Sequence, residues 1–101
     1  MKQKAYSVYD DKAAYFMPPF YCKTDFEAIR VFGFAVNDGQ SSLSQIANDV
    51  SLYHVGEFDD STGMFEGIKP LPLCRGSEHV KSIIYPLGGQ TVREEGEDEI
   101  L

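Results

Sequence analysis

The distribution of apolar positions divides the chain into short segments of differing period. Residues 4–10, KAYSVYD, are rich in β-branched and aromatic side chains and predict a first strand. The next stretch, DKAAYFMPPFYCK, contains Pro18 and Pro19, which exclude a central strand or a helix interior and leave an extended, aromatic-rich segment. Over residues 24–38 the period becomes helical. Phe26, Ile29, Gly33 and Val36 fall on one face, with Ala28, Phe32 and Ala35 beside them, giving a wide apolar arc. Thr24 is placed to cap the first turn, Glu27 to complete a capping box, and Asp25 to meet the positive end of the helix dipole. Asn37-Asp38-Gly39 then ends the helix.

Beyond it, DGQSSLSQ reads as a polar connection and IANDV as a short turn. Residues 50–58 predict a second strand, DDSTG a turn, and residues 64–73 its hairpin partner. Residues 79–87, HVKSIIYPL, predict one more short strand, and the glycines and acids after it a disordered end. The expected fold is α+β, a small, mostly antiparallel sheet with one packed helix and a disordered acidic C-terminal tail. Its 101 residues suit a single domain over 1–92, followed by the tail at 93–101.

Composition adds limits. A 43% hydrophobic content supports a packed core, and no apolar run approaches the roughly 20 residues that span a bilayer. The opening MKQKAYSVYDD lacks the apolar centre of a secretory signal, so a cytosolic, soluble protein without membrane partners is expected. Cys22 and Cys74 are too far apart for a metal knuckle and read as free thiols of a reducing compartment. The net charge is −7, which disfavours nucleic acid, but it is unevenly spread. Residues 1–24 carry four lysines against two aspartates, whereas five acids crowd the last eight residues.

The stretch SLYHVGEFDDSTGM invites a chemical interpretation and fails each test. Counted from Asp59, the twelfth position of a calcium loop is Pro70, which has no side-chain ligand. Asp59 and Asp60 flank Ser61, Thr62 and Gly63, the composition of a solvated turn and not of a carboxylate held in a pocket. His54 shares an alternating strand face with Leu52, Gly56 and Phe58, as a half-buried histidine does; His79 is isolated. No phosphate-binding glycine motif is present. No catalytic residue, metal ligand or cofactor site is expected.

The N-terminal stretch carries more. Tyr6, Tyr9, Tyr15, Phe16, Phe20 and Tyr21 are interleaved with lysines, a pairing that single-stranded nucleic-acid binders use for base stacking and phosphate contact. Tyr6, Phe16 and Phe20 are candidates for the core under the helix. Tyr9, Tyr15 and Tyr21 are the candidate stacking platforms, and Lys2, Lys4, Lys12, Lys23 and Arg30 the candidate phosphate contacts. At the other end Glu97, Asp98, Glu99, Ile100 and Leu101 form an acidic segment with an apolar close. It resembles the acidic tails of bacterial and phage single-stranded-DNA-binding proteins and is a candidate partner-binding tail.

Taken together, YSVYDDKAAYFMPPF, AIRVF and NDVSLYHVGEFDDSTG resemble the small nonstructural protein of microviruses, in particular the gokushovirus branch of single-stranded-DNA phages. The resemblance runs from about residue 5 to 65. It implies a phage protein made in the cytoplasm of the infected bacterium and absent from the mature virion. It further implies DNA binding in synthesis or packaging of the single-stranded genome. The expected function is thus non-enzymatic binding of single-stranded DNA by a homo-oligomer. The alternative is an adaptor that recruits host replication or capsid proteins through its acidic tail and touches no DNA.

Overall fold

A computed structural model describes residues 1–80. The expected strand at 79–87 lies almost entirely outside these residues, as does the acidic tail. Five strands and one principal helix make up the described part: β1 (Lys2–Asp10), β2 (Tyr15–Phe16), β3 (Phe20–Cys22), α1 (Asp25–Asn37), α2 (Ser42–Gln45), β4 (Val50–Asp59) and β5 (Met64–Arg75). Short 3-10 turns occupy Ala47–Asp49 and Gly76–Glu78. All pairings are antiparallel, so the expected α+β class is the observed one.

The sheet runs β2-β1-β4-β5, with β3 also pairing along β1. The extended aromatic segment is therefore two short edge strands. Phe16 pairs with Tyr9, and Phe20 with Tyr6, on the same side of β1. The prolines lie between them, where no ladder bond is needed. In the predicted polar connection, Ser41 caps the single turn of α2 by accepting from the Leu43 amide.

Helix α1 begins as predicted. Thr24 Oγ1 accepts from the Glu27 amide at 3.1 Å, but the Glu27 carboxylate reaches back one residue further, to the Lys23 amide at 3.0 Å. The helix buries Ala28, Phe32 and Val36 against the sheet, and Gly33 beneath the His79 ring. Its buried arc is rotated from the expected one: Phe26 is 75% exposed and faces away from the sheet. Ala28 and Phe32 lie at the centre of the contact instead. The partners are Tyr6, Val8, Val50 and Leu52 of β1 and β4, with Cys22 and Ala47 at the margins.

Tyr6 joins the two layers. Its ring is fully buried between Phe20 and His54, and its hydroxyl donates to Asp25 Oδ1 at 2.7 Å at the start of α1. Lys4 Nζ approaches the same carboxylate at 3.5 Å. Burial and the adjacent carboxylate raise the Tyr6 hydroxyl far above the usual phenol range, so it remains a donor. The Asp25 carboxyl is lowered, first by that hydrogen bond and then by Lys4. A depressed carboxylate stabilises the fold above its unfolded pKa, and the gain is lost as pH falls through the lower folded value. Tyr6→Phe should thus cost about 1 kcal/mol at neutral pH, discounted because Asp25 is partly exposed. The difference from the parent should shrink below pH about 4, as read by urea denaturation at both pH values.

A β-bulge reorganises β4. His54 pairs with Tyr6, but the next partner of β1, Ala5, pairs with Gly56, so Val55 is the extra residue. His54 thus stays on the helix side with Leu52, while Gly56 and Phe58 move to the opposite face. This corrects the simple alternation that grouped all four. Gly56 is required there: a Cβ would lie 2.5 Å from the Glu66 carbonyl oxygen and 2.8 Å from the Phe65 ring.

Candidate nucleic-acid interface

Strand alternation gives the sheet two unlike faces. One carries Tyr6, Val8, Val50 and Leu52 and is covered by α1. Among the described residues no helix covers the other, and rings gather on it in two groups. Tyr9, Phe16 and Tyr53 form the first, with centroid separations of 4.7 Å for Tyr9–Phe16 and 5.3 Å for Phe16–Tyr53. Tyr21 and Phe58, 5.6 Å apart, form the second, and Phe65 pairs with Phe58 and lies over Gly56.

Between the groups the same face carries the small residues Ala5, Ser7 and Gly56, all buried, and the equally buried Ser51 lies beside Tyr9. Ser7 spends its hydroxyl locally, donating to the Met17 carbonyl at 2.6 Å. The rings stand beside and over this low strip, and Phe16, Tyr21 and Phe65 remain 41–48% exposed. Exposed aromatic faces held by neighbouring rings are suited to stack on flat, apolar ligands at low entropic cost.

The sequence-predicted residues divide between the faces. Tyr9 and Tyr21 sit on the aromatic face, one in each group. Tyr15 pairs with Asp10, one position out of phase with Phe16, and projects on the other face with 54% exposure. Phe16, a core candidate, belongs to the open face because it pairs with Tyr9. Lys2 and Lys4 alternate with Gln3 and Ala5, so both lie on the helix side, where Lys2 meets Glu57 at 4.0 Å and Lys4 meets Asp25. Lys12, in the turn after β1, and Lys23, directly after β3, are exposed near the ends of the platform. Arg30 is on α1, its guanidinium 5.7 Å from the Phe34 ring centroid. The tail residues Glu97, Asp98, Glu99, Ile100 and Leu101 lie outside the described residues.

Sequence reasoning missed Tyr53, Phe58, Phe65 and Arg75. Arg75 pairs with Ser51 at the Tyr9 end of the open face, where its guanidinium is 3.6 Å from Asp11. The signal for Tyr53 was available, since it alternates with Leu52 and must face away from the core. Phe58 was hidden by the bulge.

The acidic corner of the β4–β5 hairpin is a turn. Asp59 accepts from the Ser61 amide at 2.9 Å, its carbonyl accepts from the Gly63 amide at 2.7 Å, and Gly63 takes a φ of 77°. Asp60 receives a hydrogen bond from the Met1 ammonium at 2.8 Å, which holds its carboxyl below the usual range. His54 Nε2 sits 3.0 Å from the Gly56 carbonyl, bridging the bulge. His79 Nε2 is 3.4 Å from Cys74 Sγ, yet burial and Glu78 push this thiol up to about 11, so it stays protonated at neutral pH. Among the described residues, no three His, Cys, Asp or Glu side chains are grouped to hold a metal ion. Nor is any helix there long and apolar enough to cross a membrane.

These features define a small α+β domain: one helix against one side of an antiparallel sheet, and an aromatic surface on the other. Residues 3–79 match the family model described as Phage ORF5 protein, and the chain belongs to that family of bacteriophage proteins. No curated protein and no solved structure matches it.

Proposed function

We propose that this phage protein binds single-stranded DNA without catalysing a reaction, acting in genome replication or packaging in the host bacterial cytoplasm. The observation that carries the proposal is the sheet face opposite α1, with its two ring groups. Bases would stack on Tyr9, Phe16 and Tyr53 and on Tyr21, Phe58 and Phe65. Lys12, Lys23 and Arg75 would meet phosphates at the margins of that face. Lys2, Lys4 and Arg30 contribute only to long-range attraction, since they lie on the helix side. Membership of the phage family and the resemblance to the gokushovirus nonstructural protein support the same reading.

Stacking explains how an acidic chain can bind a polyanion. Residues 1–80 carry seven basic and eleven acidic side chains, so electrostatics alone would repel DNA. A ring platform supplies roughly 1–3 kcal/mol per stacked base, and local cations need only neutralise the nearest phosphates. The salt dependence should therefore be shallow. Anisotropy of a labelled oligonucleotide should show binding whose log affinity falls against log salt with a slope of roughly −2, as for about three phosphate contacts. Absence of binding at low salt would overturn the proposal. The acidity instead favours the adaptor reading, in which the tail recruits a host replication or capsid protein; deleting residues 93–101 would then abolish capture of that partner while leaving DNA affinity unmeasurable throughout.

A further inference from the structure

Helix α1 has a second apolar face that the sheet does not use. Phe26 and Phe34 are 75% and 65% exposed, and between them and the chain at Val80 lies a groove of about 630 Å³ floored by Ile29 and Gly33. Exposed apolar side chains grouped beside a groove mark contact surfaces, as those scattered singly do not. Phe26, Arg30, Phe34 and Asp38 follow at intervals of four, forming a single ridge down the helix and its C-cap. Along that ridge the charges are placed symmetrically. Arg30 is four residues before Phe34 and Asp38 four residues after it, about 6 Å to either side.

We infer that this face docks a second copy of the chain, α1 against α1, about a two-fold axis passing near Phe34. Antiparallel ridges meeting there stack Phe34 on the partner's Phe34, and each Arg30 meets the partner's Asp38. An isologous contact requires this self-complementarity: residue i touches residue j, and j touches i. A two-fold at Arg30 would instead oppose two guanidinium groups, so the charges select the register. Among the described residues Arg30 has no carboxylate partner, only the ring of Phe34, which leaves its charge available. The groove beside the helix accepts the partner's flanking side chains.

The arrangement does not depend on DNA binding, but it is compatible with it. Because α1 covers the opposite side of the sheet, pairing through α1 leaves both aromatic faces outward. Two platforms on one particle would bind one strand with an effective local concentration far above that of a free protomer.

Sedimentation velocity on the full chain should give a dimer at micromolar concentration, and Phe34→Glu should convert it to a folded monomer, with folding checked by circular dichroism. Arg30→Asp and Asp38→Arg should each weaken the dimer at least tenfold, and the double variant Arg30→Asp/Asp38→Arg should recover most of the loss. A monomeric parent chain, or a dimer indifferent to Phe34→Glu, overturns the inference. Single swaps that weaken the dimer without recovery in the double variant overturn the register and with it the proposed interface.

Discussion

Replacing Tyr53 and Phe58 together with alanine should lower affinity for an unstructured single-stranded oligonucleotide by roughly 30-fold or more. Each ring belongs to a different aromatic group, and each stacked base is worth about 1–3 kcal/mol on truncation of its platform. Their partners on β1, Ser7 and Gln3, are four residues apart, which at strand rise is about 13 Å, so their effects should combine nearly independently. Neither ring lies within the core under α1, and both are only half-buried, so the double variant should retain its fold. Tyr15→Ala provides the contrast. It removes a tyrosine equally aromatic and more exposed, but on the other face, and should leave affinity within about twofold. Anisotropy titrations of the three proteins at one salt concentration decide the matter. Parent-like binding by the double variant, or an equal loss in Tyr15→Ala, would remove the sheet face as the binding surface.

That contrast also shows how far the sequence could be read. Element types were legible because each rested on a local rule: the Thr24 cap, the helical spacing after it, and the glycine at 63 that closes the hairpin with a positive φ. Which way individual rings point was not legible. Tyr9, Tyr15 and Tyr21 look alike in the chain, yet Tyr15 falls out of phase because its pairing with Asp10 is fixed by the turn at Lys12–Ala14 and not by its own chemistry. Phe58 changed sides through one extra residue, Val55, and nothing in HVGEF announces a bulge except the glycine. Even that signal is ambiguous, since a strand glycine marks either a bulge or a close approach; Gly56 turns out to mark both. Basic residues carried still less directional information. Lys2 and Lys4 were placed by register, and their carboxylate neighbours come from α1 and β4, distant in sequence.

Phe32→Ala should destabilise the fold by about 3–5 kcal/mol, the range for truncating a fully buried phenylalanine. The ring is 1% exposed and is among the largest fully buried side chains, packed in one cluster with Tyr6, Val8, Val50 and Leu52. It also meets the edge of His79 at 5.8 Å, so its removal loosens the segment that closes over Gly33. Backbone and ring neighbours on both sides limit collapse of the void. For a domain whose total stability is of order 5–15 kcal/mol, such a loss leaves a large unfolded fraction at physiological temperature. Val31→Ala, one position earlier on the same helix, should change stability by less than about 0.5 kcal/mol, because Val31 is 46% exposed and alanine is the better helix former. Urea midpoints of both variants measure the difference. Comparable losses at the two positions would mean that α1 is rotated about its axis relative to the sheet, which would bring Phe26 and Phe34 toward the core and take away the second apolar face.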